Sequence, residues 1–289
     1  GRLVSVETTN FSTGGADTFV LGGGDNIAFG GVGADRITSG DGRDILVGDN
    51  GSATFDPAAQ VLTNILTASP GDAGSDTLNA GNGNNVVLGG TGNDTITTGI
   101  DADVIVGDNG EAIFYAGTGV LQNIATTIPT ALGNDVINAG VGPDVIFGGS
   151  GDDQVDAGSV SAGDISRDIV VGDHGRATFD TLGRLTYVTT LEPATGGNDT
   201  VSLGGGDNVA FGGFGSDTIT AGGGHDLAVG DNGSATFDSA TLVVIDVRTT
   251  DAALAGTDTI TLGDGNNIVL GGGAADPIPT GSGSVIALG

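Results

Sequence analysis

The chain contains no cysteine, methionine, tryptophan or lysine. Without cysteine there is neither a disulfide framework nor a thiolate metal centre. Two tyrosines and 10 phenylalanines are too few aromatics to fill an ordinary core in 289 residues. The 7 positive charges, all arginine, face 36 acidic residues, a formal net charge of −29. Nucleic acid and anionic membrane are therefore poor partners, and neither nucleic-acid binding nor membrane insertion is expected. Neither a signal peptide nor an apolar run of membrane length occurs, so a soluble chain is expected, with any export signal outside this stretch.

Glycine is what the chain has in excess, with 58 residues. Val, Ile, Leu and Ala are also plentiful and evenly spaced, unlike the composition of a disordered acidic tail. The chain is therefore repetitive rather than disordered. The excess of carboxylates must be neutralised before it can become compact, and a hard divalent cation suits the abundant carboxylate and carbonyl oxygens.

Asp17, Asp76, Asp135, Asp199 and Asp258 open similar blocks at spacings of 59, 59, 64 and 59 residues, the mark of a repeat array. Each block holds four nine-residue units in which an apolar residue follows Asp or Asn by two positions and a Gly-rich turn follows in turn; ADTFVLGGG, DNIAFGGVG, ADRITSGDG and RDILVGDNG fill residues 16–51. A short strand and a tight bend per unit, with two units per coil, are predicted. The third block carries six extra residues, 161–166, as a loop insertion, and the insert after it is one residue shorter.

The motifs GGVGAD at 30–35, GGTGND at 89–94, GGSGDD at 148–153 and GGFGSD at 212–217 resemble the RTX (hemolysin-type) calcium-binding nonapeptide. The resemblance covers most of the chain except the inserts. It implies an all-β fold, a parallel β-roll or β-solenoid, with several Ca2+ ions held between the Gly-rich turns of successive coils by Asp carboxylates and backbone carbonyls. It also implies a secreted or cell-surface protein, exported unfolded by a type I route and folding outside.

Residues one coil apart, 18 positions, should stack. This pairs Asp17 with Asp35, Asp76 with Asp94, Asp135 with Asp153, Asp199 with Asp217 and Asp258 with Asp276 as candidate ligands on one edge. On the other edge it pairs Asn26 with Asp44, Asn85 with Asp103, Asp144 with Asp168 and Asn208 with Asp226. Fewer charges there predict weaker sites. An isolated Asp or Asn in a turn usually caps its own backbone, but recurrence in register favours ligands. Each glycine costs about 0.5–1 kcal/mol of extra backbone entropy on ordering, so folding is expected to be linked to calcium.

In the even units both residues flanking the central one are apolar, as in Ile45 and Val47 or Val145 and Phe147, so that sheet needs a cover. The inserts read as strand, turn, strand, with a recurring pair Ala53 and Phe55, Ala112 and Phe114, Ala177 and Phe179, Ala235 and Phe237. Each hairpin is expected to fold onto the even sheet of its own chain; the alternative is that this surface joins neighbouring molecules in a fibre or lattice. The expected organisation is a hairpin end at 1–15, roll blocks at 16–51, 75–110, 134–175, 198–233 and 257–289, and hairpins at 52–74, 111–133, 176–197 and 234–256. The chain thus reads as a cut from a longer array. Its last stretch departs from the pattern, with Pro277 and Pro279 beside a strand centre and Val285 where Asp is expected, which weakens the case for calcium at Asp276.

No HExxH helix or GxSxG elbow accompanies His174 and His225, which sit in Gly-rich turns read as equivalent and solvent-facing. The expectation is a non-enzymatic, calcium-rigidified segment of a large secreted bacterial adhesin, surface-layer or matrix protein that self-associates or joins neighbouring repeats. The alternatives are a calcium-dependent folding and secretion segment of an RTX enzyme or toxin, and an ice-binding face built on the threonine pairs Thr95 and Thr97, Thr218 and Thr220, Thr259 and Thr261. That ladder is interrupted by Arg36, Asn79, Asn138, Gln154 and Asp156.

Overall fold

Each apolar-centred run forms a short strand and each Gly-rich stretch a turn in the computed structural model, which describes residues 2–9, 11–68, 74–129, 133–158 and 163–288. The odd units stack as one parallel sheet: Thr18–Val20, Arg36–Thr38, Thr77–Gly81, Thr95–Thr98, Val136–Asn138, Gln154–Ala157, Thr200–Leu203, Thr218–Ala221 and Thr259–Leu262. The even units stack as a second: Ile27–Phe29, Ile45–Val47, Val86–Leu88, Val104–Val106, Val145–Phe147, Ile169–Val171, Val209–Gly213, Leu227–Asp231, Asn267–Leu270 and Val285–Leu288. Chain order and spatial order coincide in both, as a solenoid requires.

Within a block the register step is 18 residues, Thr18 facing Arg36. Across the first hairpin it is 41, Arg36 facing Thr77, and across the third 46, Gln154 facing Thr200, so the roll continues as though the hairpins were absent. The third block steps by 24 in the even sheet, Val145 facing Ile169, because the six-residue insertion lies in that coil. The first two residues of the insertion, 161 and 162, fall outside the described residues.

Strand periodicity sends the central residue of every odd and even strand into the space between the two sheets. Ile37, Leu46, Leu78, Val87, Ile96, Ile105, Ile137 and Ile146 fill it and are fully buried. Residues on either side point outward. From the odd sheet they meet solvent in two aligned rows in which Arg36, Val136 and Gln154 interrupt the first run of threonines and Asn79, Asn138 and Asp156 the second. No continuous threonine face results.

From the even sheet the outward residues enter a second apolar layer under a third sheet, antiparallel and made of the hairpins: Ser5–Glu7, Gly51–Phe55, Leu62–Thr67, Gly110–Phe114, Leu121–Thr126, Gly175–Phe179, Leu185–Thr190, Gly233–Phe237 and Val244–Thr249. Neighbouring hairpins pair with one another, as in Ala112 with Ile65 and Ile124 with Ala177. The recurring Ala-x-Phe pairs face the roll: Ala53, Ala112, Ala177 and Ala235 are buried, with Phe114, Phe179 and Phe237 beside them and Phe55 packed against the same cluster. The chain covers its own even face as far as Asn267–Leu270, while Ile286 and Leu288 on the last strand stay exposed. The hairpin strands open at Gly51, Gly110, Gly175 and Gly233, one residue earlier than the turn pattern suggests.

Candidate metal centres along the two edges of the roll

The turns that join even to odd strands end in the aspartates of the first edge, and those that join odd to even strands end in the mixed Asn and Asp residues of the second. On the first edge the carboxylates form an unbroken ladder. Oδ1 of Asp35 accepts from the backbone N–H of Asp17 at 2.6 Å, Oδ1 of Asp76 from Asp35 at 2.7 Å, and Oδ1 of Asp94 from Asp76 at 2.7 Å. Asp135, Asp153, Asp199, Asp217, Asp258 and Asp276 continue it at 2.7–3.0 Å. The pairs expected at a spacing of 18 are all hydrogen-bonded, and the hairpin-spanning contacts join them into one line. Asp17 is exposed at one end, and Asp276 keeps its place in spite of the prolines, because the Pro277 and Pro279 carbonyls still accept from Ile260 and Leu262.

In this ladder Oδ2 of every aspartate from Asp35 to Asp276 is buried without a hydrogen-bond partner. A Cβ added at Gly48 would collide with both Asp76 Oδ2 and the Gly89 carbonyl, and one at Gly107 with Asp135 Oδ2 and the Gly148 carbonyl. Each turn thus brings a free carboxylate oxygen and a backbone carbonyl of an adjoining coil together at a spot kept open by glycine. Oxygen facing oxygen in a buried site is costly unless a proton or a cation lies between them.

Electrostatics express the same tension. Burial pushes Asp94 and Asp217 up to about 9, with neighbouring carboxylates adding to it, and pushes Asp76 and Asp258 up to about 7. Asp135 and Asp153 lie well above the usual carboxylate range for the same reason. A hard cation with an affinity for carboxylate and carbonyl oxygens matches this donor set, so calcium fits. Among the described residues no three His, Cys, Asp or Glu side chains converge as an all-side-chain metal centre would need. The arrangement is instead one carboxylate with backbone carbonyls, repeated.

The second edge stacks in the same way. Oδ1 of Asp44 accepts from Asn26 N–H at 2.8 Å, Asn85 Oδ1 from Asp44 at 3.0 Å, and Asp103 Oδ1 from Asn85 at 2.8 Å, followed by Asp144, Asp168, Asn208, Asp226 and Asn267. Oδ2 of Asp44, Asp103, Asp144, Asp168 and Asp226 is again buried and unpartnered. Burial raises Asp144 and Asp168 to about 8, and both feel the charge of Asp164, which the third-block insertion carries to this edge. Asn267, absent from the sequence-based candidates, occupies the same rank; the period of 59 from Asn208 was its signal.

Four further aspartates went unnoticed in the sequence. Asp49, Asp108, Asp173 and Asp231 stand second in the interrupted turns, just before each hairpin. Asp173 accepts from Gly197 N–H at 2.9 Å through Oδ1 and from Phe214 N–H through Oδ2, and Asp231 accepts in the same manner from Gly256 and Gly273, at 2.7 and 2.9 Å. Gly197 and Gly256 lie where the chain comes back from its hairpin, so these carboxylates splice the broken turn. The recurrence of GD before each insert was the available sign.

One histidine expectation is overturned. His174 is 1% exposed, its Nε2 lies 2.9 Å from Ser150 Oγ, and burial pushes it down to about 4, so it is neutral. It replaces the asparagine of the other blocks, where Asn109 pairs with Thr91 Oγ1 at 3.1 Å. His225 is exposed beside Asp207 at 3.7 Å, in a turn of the other edge, so the two positions are not equivalent.

The family model for the RTX calcium-binding nonapeptide repeat, built of four copies, matches residues 11–46, 20–54, 70–105, 80–114, 130–160, 193–234 and 252–276. The chain belongs to the RTX calcium-binding nonapeptide repeat family. RTX repeats of this kind bind multiple Ca2+ ions. The matched segments hold the roll except its strands Ile169–Val171 and Val285–Leu288, while most of each hairpin lies outside them. No curated protein matches the RTX chain as a relative. Among its described residues no helix is long and apolar enough to cross a membrane.

Proposed function

We propose that this RTX chain is a structural, non-catalytic segment that folds on extracellular calcium into a stiff rod within a secreted protein. The observation that carries the reading is the unbroken first-edge ladder, in which each Oδ2 from Asp35 to Asp276 is buried and unpartnered. Its ligands on that edge are Asp17, Asp35, Asp76, Asp94, Asp135, Asp153, Asp199, Asp217, Asp258 and Asp276. On the second edge they are Asp44, Asp103, Asp144, Asp168 and Asp226. Bound calcium stabilises only the folded state, so many sites in series make folding steeply dependent on the ion. Low cytoplasmic calcium would keep the chain unfolded for export, and the outside medium would fold it.

Stiffness follows from geometry, since every coil is hydrogen-bonded to both neighbours in two sheets and a third sheet splints the stack along the even face. The hairpins take up the apolar stripe that could have driven lateral packing, so assembly into a fibre or matrix would use the rod's outer faces or its continuation in neighbouring repeats. A calcium titration from the EDTA-treated state, followed by circular dichroism and light scattering, tests the reading. Cooperative gain of β structure supports the rod, growth of particle size with it supports assembly, and an unchanged spectrum overturns the function proposed.

A further inference from the structure

The asparagines of the second edge stand at the same rank in the stack as its aspartates, yet they carry no charge. Asn26 Nδ2 donates to the carbonyls of Gly22 and Gly24 at 2.9 and 2.6 Å, four and two residues back in its own turn. Asn85 does the same with Gly81 and Gly83 at 3.3 and 2.8 Å, and Asn208 and Asn267 donate to Gly204 and Gly263, both at 3.2 Å. The Oδ1 atoms of Asn85, Asn208 and Asn267 accept from the backbone N–H groups of Asp44, Asp168 and Asp226 at 3.0, 2.9 and 3.0 Å. That acceptor role sets the orientation of each amide, because only its oxygen can face an N–H group. Both ends of Asn85, Asn208 and Asn267 are thus occupied, while Asn26, at the end of the stack, uses its Nδ2, which also donates to Asp44 Oδ1 at 2.8 Å.

Asp44 shows the contrast. Its Oδ1 fills the acceptor role, and its Oδ2, in the place of an amide nitrogen, is buried with no partner. Where asparagine offers the turn carbonyls a donor, aspartate offers another acceptor, and only an ion or a proton resolves the conflict.

We propose that the asparagine amides of the second edge stand in for calcium: Asn26, Asn85, Asn208 and Asn267 close their turns without an ion, and metal on that edge is confined to the aspartates. This rests on the reading of the aspartates as calcium ligands, and it replaces the sequence-based expectation that Asn26, Asn85 and Asn208 are ligands themselves. The two edges then differ in kind. Ions on the first edge follow one another at every coil, whereas those on the second are spaced by amides except at Asp103, Asp144 and Asp168, where aspartates run consecutively. An amide closes its turn before any calcium arrives, so the second edge is partly set in the ion-free chain.

The test uses the full chain with Asn85→Asp, Asn85→Ala and Asp44→Asn, each refolded in saturating calcium. Equilibrium dialysis against radioactive calcium counts the ions per chain, and circular dichroism gives the calcium midpoint for folding. Asn85→Asp is expected to bind one more ion than the natural chain and to need severalfold more calcium to fold. Asn85→Ala is expected to bind as many ions as the natural chain with a lower melting temperature, and Asp44→Asn to bind one fewer and fold at lower calcium. An Asn85→Ala chain that loses an ion, or an Asn85→Asp chain that gains none, overturns the assignment. If Asn85→Ala fails to fold, the isosteric Asn85→Asp still decides. A natural chain that holds no calcium overturns the reading of the aspartates and this assignment together, whereas a loaded natural chain with no gain in Asn85→Asp overturns the assignment alone.

Discussion

The two apolar layers of this molecule are held in different ways. The inner one takes the central side chain of each strand, with a second from several odd strands such as Ala80, Leu203 and Leu262, and is bounded on both edges by stacked carboxylates and amides. The outer one takes two side chains from each even strand between Ile27–Phe29 and Asn267–Leu270 and adds Ala, Phe, Leu, Ile and Val from the hairpins. Burial of apolar surface is more generous in the outer layer, yet its even strands belong to the roll. The hairpin sheet therefore has nothing to pack against unless the roll has formed, and the charge state of the edges governs both layers.

Calcium removal should have the largest effect. At about pH 9, well above the ordinary carboxylate range, EDTA is expected to abolish the β spectrum as a whole, hairpins included. Persistent hairpin structure, seen as protected amides in Leu121–Thr126 or Leu185–Thr190 by hydrogen exchange, would show that the outer layer stands alone.

Protons should substitute for calcium next. Burial raises Asp76, Asp103 and Asp258 to about 7 and Asp94 and Asp217 to about 9, from an ordinary 3.8. The ion-free folded chain holds protons that the unfolded chain gives up above about pH 4, so its stability is full below that point and falls as pH rises through the raised values. In EDTA, circular dichroism is expected to show structure at about pH 5 that melts out between about pH 7 and 9. A chain equally unfolded at both extremes would separate ion-free stability from these carboxylates.

Phe147→Ala empties a fully buried position in the outer layer and is expected to cost about 3–5 kcal/mol in chemical unfolding at saturating calcium. The number of bound ions should stay the same, which sets the outer layer apart from the edges. Asp173→Ala leaves the N–H groups of Gly197 and Phe214 without their acceptor, at about 1–3 kcal/mol for each. Thr95→Val, on the exposed outward row of the odd sheet, should change stability by no more than about 0.5 kcal/mol.

Much of this was legible from the residues. A period of nine with an apolar centre tells which side chain enters the roll, and stacking of Asp17 on Asp35 or Asn26 on Asp44 follows from a coil of 18. The apolar flanks of Ile45 and Val47 also announced a second covered face. The difference between Asn85 and Asp103 was not legible, since both suit a turn and both carry oxygen; only the atoms around the amide nitrogen separate them. His174 was misread because a Gly-rich turn suggests exposure, whereas this turn lies under the adjoining coil beside Ser150.

The sequence by itself determined the local period, the two kinds of sheet and the need for a counter-ion, because each depends on spacing and charge along the chain. The tertiary structure alone decided that the roll runs unbroken past every hairpin, Asp35 resting on Asp76 across 41 residues. It also decided that the hairpins join edge to edge over the even sheet and that Asp173 and Asp231 close the broken turns. Those contacts join segments far apart in the chain, and their partners are backbone N–H and carbonyl groups, which every residue carries and no sequence pattern marks.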